Sequence, residues 1–365
     1  MRRVAGIVVV LLSLVATARA TTVLITIEAQ APPPTVSGDW SADQRNAWTG
    51  ADGEPRIQFN LRTEAGDSRW GFGIRAEELQ GLPPSAFSGV ARDVSFSWTR
   101  EAGTFRFTGT FDAGRGSGRY TFEPNPAFLS AMGGLGYRSL SPEDVLRMAV
   151  LDVTTGYVRE LGQAGYPSLP LDTLTRMRIH RVSGAEIREL ALLGFKGLDA
   201  DTLVRMRIHQ ATPEVVRGLQ QLGLGDLDPE DVIRLQIHKV TPEFVRGLRD
   251  RGYTGLRADD YVRMRIHRVS LEEIDQLKAL GFGGLAADEL VRFRIHRVTP
   301  AFIREMRDVG FVTVTEDQLV RMRIHKVDAQ FVRDARADGF AMTSPSDAVD
   351  LAIRGPRYTR ARRQP

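Results

Sequence analysis

The sequence predicts an α+β chain of more than one domain: an N-terminal antiparallel β-sandwich or barrel-like domain, followed by an α-solenoid of 29-residue helical-hairpin repeats. Three observations predict it. Between Thr21 and Phe128, apolar and polar residues alternate with the period of strands that have one wet face. From residue 129 to 354 glycines recur at 136, 165, 194, 223, 252, 281, 310 and 339, a spacing of 29. All six histidines (His180, His209, His238, His267, His296 and His325) keep the same interval. Periods of this length mark stacked supersecondary units, each too small to bury its own apolar face.

The chain opens MRRVAGIVVVLLSLVATARA. Two arginines precede a run, residues 4–16, that is almost wholly apolar, and Ala18-Arg19-Ala20 offers small residues around a cleavage point. As a helix the run spans only about 20 Å, short of the roughly 30 Å hydrocarbon core. Residues 1–20 therefore read as a cleaved secretory signal, which places the mature chain in the periplasm or outside the cell. No later segment is apolar enough to span a membrane. Cysteine is absent from the 365 residues, so disulfides, thiolate metal sites and cysteine nucleophiles are excluded. The formal charge of +4 comes mostly from the three arginines of the leader. The rest of the chain is nearly balanced and lacks the basic surface of a nucleic-acid binder. Only the last segment, 355–365, is cationic, and it reads as a solvated, disordered tail.

In the β region, 21–128, five segments alternate cleanly: Ile57, Phe59 and Leu61; Trp70, Phe72 and Ile74; Val94, Phe96 and Trp98; Phe105, Phe107 and Phe111; Tyr120 and Phe122. Each set is expected to face a core, with turns at EAGDS, REAGT and DAGRGSG. Trp40 and Trp48 stand outside these strands. GRGSG (114–118) lacks the Lys-Ser/Thr and helix of a phosphate loop and reads as a hairpin turn. A pair of carboxylates such as Glu77 and Glu78 could be imagined as acid and base, though neighbouring residues point apart.

Each repeat holds two helices, giving seven hairpins and part of an eighth. Ser141, Asp199, Asp228, Thr315 and Ser344 stand where the first helix begins, and the position two residues further on is acidic in seven of the eight units: Glu143, Asp172, Asp201, Glu230, Asp259, Asp288 and Asp317. Thr154, Ser183, Thr212, Thr241, Ser270, Thr299 and Asp328 stand where the second begins, three of them followed by proline. The repeated glycine closes the second helix in the left-handed conformation. Leu203 and Met206 on one side, and Val204 and Ile208 on the other, are expected to form two apolar seams.

Between the seams run two polar faces. One carries the acid, an arginine and the histidine four apart, as in Asp201, Arg205 and His209, a spacing that predicts an Asp–Arg pair within the helix. The other carries an arginine two before the histidine. Together they nominate an interaction surface: Arg176, Arg178, His180, Arg205, Arg207, His209, Arg234, His238, Arg263, Arg265, His267, Arg292, Arg294, His296, Arg321, Arg323 and His325. The histidine column admits three readings: a helix C-cap copied with the repeat, a metal ladder, or a set of pH-sensitive groups. Duplication alone explains the spacing, and the arginine and lysine around each ring disfavour a dication, so neither a metal nor another cofactor is expected.

WGFGI, TFRFTGTF, GRGSGRYTFEPNPAFLSAM and repeats such as LVRMRIHRVTPAFIREMRDVGF resemble the extracytoplasmic C-terminal region of BlaR-type antirepressor membrane metallopeptidases, a region that also occurs as separate exported proteins. Where that family often has glycine after the histidine, this chain has Arg, Lys or Gln. The family's membrane helices and HExxH zinc motif have no counterpart here. The resemblance implies an accessory or sensing region and carries over no catalytic residue. The expectation is a non-enzymatic module of the bacterial cell envelope that binds a protein or envelope polymer through its repeat surface. A pH-responsive sensor built on the histidines is the alternative. A hydrolase is a third reading, disfavoured because no GxSxG elbow occurs and no histidine lies outside the repeats.

Overall fold

The structure, a computed structural model, describes residues 35–355 apart from 51–52, 65–67 and 88–89 and the side chains of 45–48. The expected leader, the tail from 356 onward and the side chain of Trp48 lie outside the described residues. Two compact units divide the chain after Ile179.

The first unit holds seven strands: β1 (Val36–Thr49), β2 (Pro55–Thr63), β3 (Arg69–Ile74), β4 (Leu79–Gln80), β5 (Arg92–Arg100), β6 (Gly103–Asp112) and β7 (Arg115–Pro124). They form one antiparallel sheet in the order β3-β2-β1-β7-β6-β5-β4. All five segments with alternating apolar residues are strands, and their inward sets are buried except for the half-exposed Trp70 and Phe72 at the β3 edge. Aromatic rings from strands that are not neighbours meet across the concave face: Trp40 of β1 lies 5.3 Å from Phe96 of β5, and Phe72 of β3 lies 5.2 Å from Trp98 of β5. The sheet is therefore curled around an aromatic core, each fully buried ring being worth about 1.5–3 kcal/mol of transfer free energy.

The strand between β2 and β7 is β1, which the alternation did not announce. Its inward positions are Val36, Gly38, Trp40 and Ala42, two of them too small to register as a hydrophobic period. Gly38 has to be small, because a Cβ there would sit 2.0 Å from the Arg62 carbonyl oxygen. The expected turn at 114–118 is also shifted. Ala113 and Gly114, at φ +45° and +83°, make the tight connection, and Arg115–Gly118 already belong to β7.

Four helices complete this unit: α1 (Pro126–Gly134), α2 (Pro142–Val150), α3 (Thr155–Gln163) and α4 (Leu171–Ile179). Polar ties hold them to the sheet. Glu101, in the β5–β6 turn, accepts from the Thr155 hydroxyl at 2.6 Å and its N–H at 3.2 Å, capping α3 from outside. Arg100 joins Glu78 at 3.1 Å to Asp152 at 3.5 Å.

The second unit contains α5 (Gly184–Leu192), α6 (Ala200–Ile208), α7 (Pro213–Gln221), α8 (Pro229–Ile237), α9 (Pro242–Asp250), α10 (Ala258–Ile266), α11 (Leu271–Ala279), α12 (Ala287–Ile295), α13 (Pro300–Asp308), α14 (Glu316–Ile324), α15 (Ala329–Ala337) and α16 (Pro345–Arg354). Each expected N-cap side chain accepts from the backbone of the third helical residue, for example Asp199 from Thr202 at 2.7 Å and Ser183 from Glu186 at 3.1 Å. Where the first-helix position offers Arg257 or Ala286 instead, the acid at that third residue turns back to the cap N–H: Asp260 at 3.0 Å and Glu289 at 2.8 Å. The eight periodic glycines all have positive φ, between +82° and +102°, and end the second helices. Even-numbered helices pack on the next even-numbered helix (α6 on α8, α8 on α10, α10 on α12), and odd-numbered helices do likewise from α5 to α15. A continuous core runs between them, with Leu235, Met264, Phe293 and Met322 essentially inaccessible.

Candidate functional site

Five of the six histidines (His209, His238, His267, His296 and His325) are C-cap residues of α6, α8, α10, α12 and α14, and His180 directly follows α4. The chain then leaves the helix by a fixed route. In α6 the Gln210 N–H donates to the Arg207 carbonyl at 3.2 Å, and the Ala211 N–H to the Met206 carbonyl at 2.8 Å. That geometry requires a left-handed residue directly after the histidine. Arg181, Gln210, Lys239, Arg268, Arg297 and Lys326 all adopt it, with φ between +55° and +58°.

The imidazoles were expected to meet free carbonyls at the helix end. They are half-buried, and among the described residues they make no hydrogen bond. What the fold uses is the histidine backbone. The His180 carbonyl accepts from Arg207 Nε at 3.3 Å, that of His267 from Arg294 at 3.0 Å, and that of His296 from Arg323 at 3.4 Å. Each donor lies 27 residues further along, in the next repeat. Within the first unit Arg178 does the same to Leu151 at 3.2 Å. The arginine two before the histidine is therefore the column that faces protein, and it supplies an otherwise orphaned C-terminal carbonyl with a donor.

The other end of each such guanidinium meets the second helix 21 residues upstream. In one pair of repeats it finds a carboxylate, Arg207–Glu186 at 3.5 Å and Arg294–Glu273 at 3.2 Å. In others it lies over a ring, Arg178 over Tyr157 at 5.1 Å, Arg265 over Phe244 at 4.9 Å and Arg323 over Phe302 at 4.8 Å. Where the upstream residue is Val215, the downstream one is Gln236, not arginine. Cation and partner thus change together between copies. Burial pushes the Glu186 carboxyl above its ordinary value, and Arg207 opposes that only in part.

Sequence reading missed a second tie of the same reach, which runs along the second helices. Gln220 donates to the Leu193 carbonyl at 2.9 Å, Arg307 to Leu280 at 2.6 Å and Arg336 to Val309 at 2.7 Å, and Arg249 does likewise to Leu222. Its only sequence signal is a long donor side chain recurring at 220, 249, 278, 307 and 336, which looks like an ordinary solvated column.

The arginine four before the histidine is the exposed column. Its expected partner was the acid in its own helix, but the salt bridges run between repeats. Arg205 grips Glu230 at 2.6 and 2.7 Å, Arg234 reaches Asp259 at 2.9 Å and also Asp231 at 2.6 Å, Arg263 pairs with Asp288, and Arg292 pairs with Asp317 at 2.6 Å. Arg147 makes the equivalent contact to Asp172 at 2.8 Å in the first unit. In the α16 repeat the acid is replaced by Ser346, and Arg321 has no carboxylate partner among the described residues. Arg176 lies on the same exposed column.

Ile208 also departs from expectation. Val204 is buried as a seam residue should be, but Ile208 is 50% exposed. The equivalent isoleucines at 237, 266, 295, 324 and 353 match it within a few per cent. They stand on the last turn of their helices.

In the β region, Glu77 and Glu78 both reach Arg75. Glu78 is clamped by Arg75 at 2.9 Å, Arg100 at 3.1 Å and the Trp98 indole at 3.3 Å. Burial pushes its carboxyl up, but the two guanidinium groups and the indole outweigh it and hold it below the ordinary range. Glu77 is exposed and touches Arg75 at 3.2 Å. Among the described residues no three His, Asp or Glu side chains are placed to hold a metal ion, and no helix is long and apolar enough to cross a membrane. Neither a protein-family model nor a curated protein sequence matches this chain.

Proposed function

We propose that this protein is an exported, non-enzymatic interaction module of the bacterial cell envelope. In this reading its hairpins stack as an α-solenoid that presents the outer side of the even-numbered helices to a protein or envelope polymer. The observation that carries it is the repeated display. Copy after copy presents the same arginine–acid pair, half-buried histidine and half-exposed isoleucine at one place, as Arg205, His209 and Ile208 do in α6. Repetition of a small motif on an extended surface suits a linear or repetitive partner. The leader-like opening and the resemblance to the extracytoplasmic region of BlaR-type proteins support an envelope location and a binding or sensing role.

Capture from envelope extract on the immobilised mature chain tests it. Replacing Arg205, Arg234, Arg263 and Arg292 together by Gln leaves the ties beneath intact and is expected to deplete the captured set. An identical set on wild type and variant contradicts the reading.

A further inference from the structure

The half-exposed isoleucines and the left-handed cations beside them are unexplained by the fold. Ile208, Ile237, Ile266, Ile295, Ile324 and Ile353 are all 50–53% exposed. A single exposed isoleucine needs no explanation. Here, however, every copy in this unit keeps isoleucine, while the fully buried position two residues earlier drifts through Met206, Leu235, Phe293 and Leu351. Packing tolerates change more readily than this surface position has shown it.

The cations make a second, independent case. Arg181, Lys239, Arg268, Arg297 and Lys326 are exposed, and none has a carboxylate partner among the described residues, whereas most of the arginines four before the histidines do. Each occupies a left-handed backbone position that a residue with a Cβ adopts only at a cost. The second helices of the same chain end on glycine at a larger φ, +82° to +102°, whereas these positions lie between +55° and +58°. Isoleucine and cation share one concavity: Ile295, His296, Arg297, Arg323, Lys326 and Asp328 line a shallow cavity of about 350 Å³.

We propose that this edge of the second unit binds an extended acidic peptide segment with an apolar residue at every third position. The inference rests on the interaction reading above and narrows its partner. The unpaired cations call for anions, and the isoleucines call for apolar side chains at the same interval. Packed helices stand about 8–10 Å apart, and three residues of polyproline II backbone advance about 9 Å, so triplets keep step with the repeats. A narrow strand is favoured over an anionic membrane plane because a chain can enter the concavity lined by Ile295, Arg297 and Lys326, which a flat surface cannot.

The test uses the full mature chain and a synthetic peptide of about five Leu-Glu-Pro triplets, read by fluorescence anisotropy. Beside it run a peptide of identical composition in scrambled order and phosphatidylglycerol vesicles. The triplet peptide is expected to bind, more weakly as salt rises, and at least about tenfold more tightly than the scrambled one. Ile237→Ser, Ile266→Ser and Ile295→Ser together are expected to lower its affinity about tenfold. The combined Lys239→Gly, Arg268→Gly and Arg297→Gly variant guards against misfolding: its melting temperature should be no lower than wild type while peptide affinity drops by a similar factor. No binding of the triplet peptide, equal binding of the scrambled one, or binding only to vesicles overturns the proposal. If the peptide fails while capture from envelope extract still depends on Arg205 and its equivalents, the interaction reading survives and this inference alone falls.

Discussion

Arg207→Ala is expected to destabilise the helical unit by about 2 kcal/mol at neutral pH, measured as a shift in urea unfolding followed by far-ultraviolet circular dichroism. The substitution strips a donor from the His180 carbonyl and leaves Glu186, only 11% exposed in its side chain, without its cation. Breaking a fully buried pair costs about 3–5 kcal/mol, and the value is lowered here because Arg207 itself is 30% exposed. The pH dependence has a definite sign. A carboxyl whose folded-state pKa is raised stabilises the fold below its unfolded pKa and loses that contribution as pH rises through the folded value. Removing Arg207 raises the folded value of Glu186 further, so the gap between wild type and variant is largest near neutrality. It narrows as pH falls toward about 4, leaving only the lost hydrogen bond and packing. Glu186→Phe, with Arg207 kept, writes in the pairing that Phe244 and Arg265 already make and should be tolerated better than Arg207→Ala. Equal loss from the two variants would mean that cation and partner do not work together.

The second large effect lies in the sheet. Phe107→Ala removes a ring with no solvent exposure that stacks on Phe96 at 4.7 Å and meets Trp40 and Phe59, each at 5.8 Å. The expected loss is about 3–5 kcal/mol, because neighbouring aromatic rings are too stiff to refill the space. All four tryptophans lie between residues 40 and 98, so intrinsic fluorescence follows the first unit. The fluorescence transition should move to markedly lower urea. An unmoved transition would show that the aromatic cluster is not what holds the sheet.

The parts legible from sequence are those set by local backbone chemistry. Caps such as Asp199 and Ser183, the glycines of the second helices, and strands with large inward residues each carry a one-residue or period-two signature. The central strand β1 escaped because Gly38 and Ala42 occupy inward positions where crowding forbids bulk. The partner of Arg205 escaped for an arithmetic reason. When an acid stands four before an arginine in every copy, it also stands 25 after the arginine of the previous copy, and only geometry selects Glu230 over Asp201. Ile208 has the helical phase of a seam residue, yet on the last turn of α6 it stays half exposed, which phase alone does not reveal. The histidine attracted attention by its ring, whereas the contacts belong to its carbonyl, which every residue type possesses.

Thermal unfolding of a chain with all six histidines replaced by Gln, beside one carrying only Arg207→Ala and Arg294→Ala, tests the central claim that the copies are joined by reaching guanidinium groups and not by imidazoles. The six-histidine variant should unfold cooperatively within about 5 °C of wild type and above the double arginine variant. The reverse order, or loss of cooperative unfolding when the imidazoles alone are removed, would contradict it.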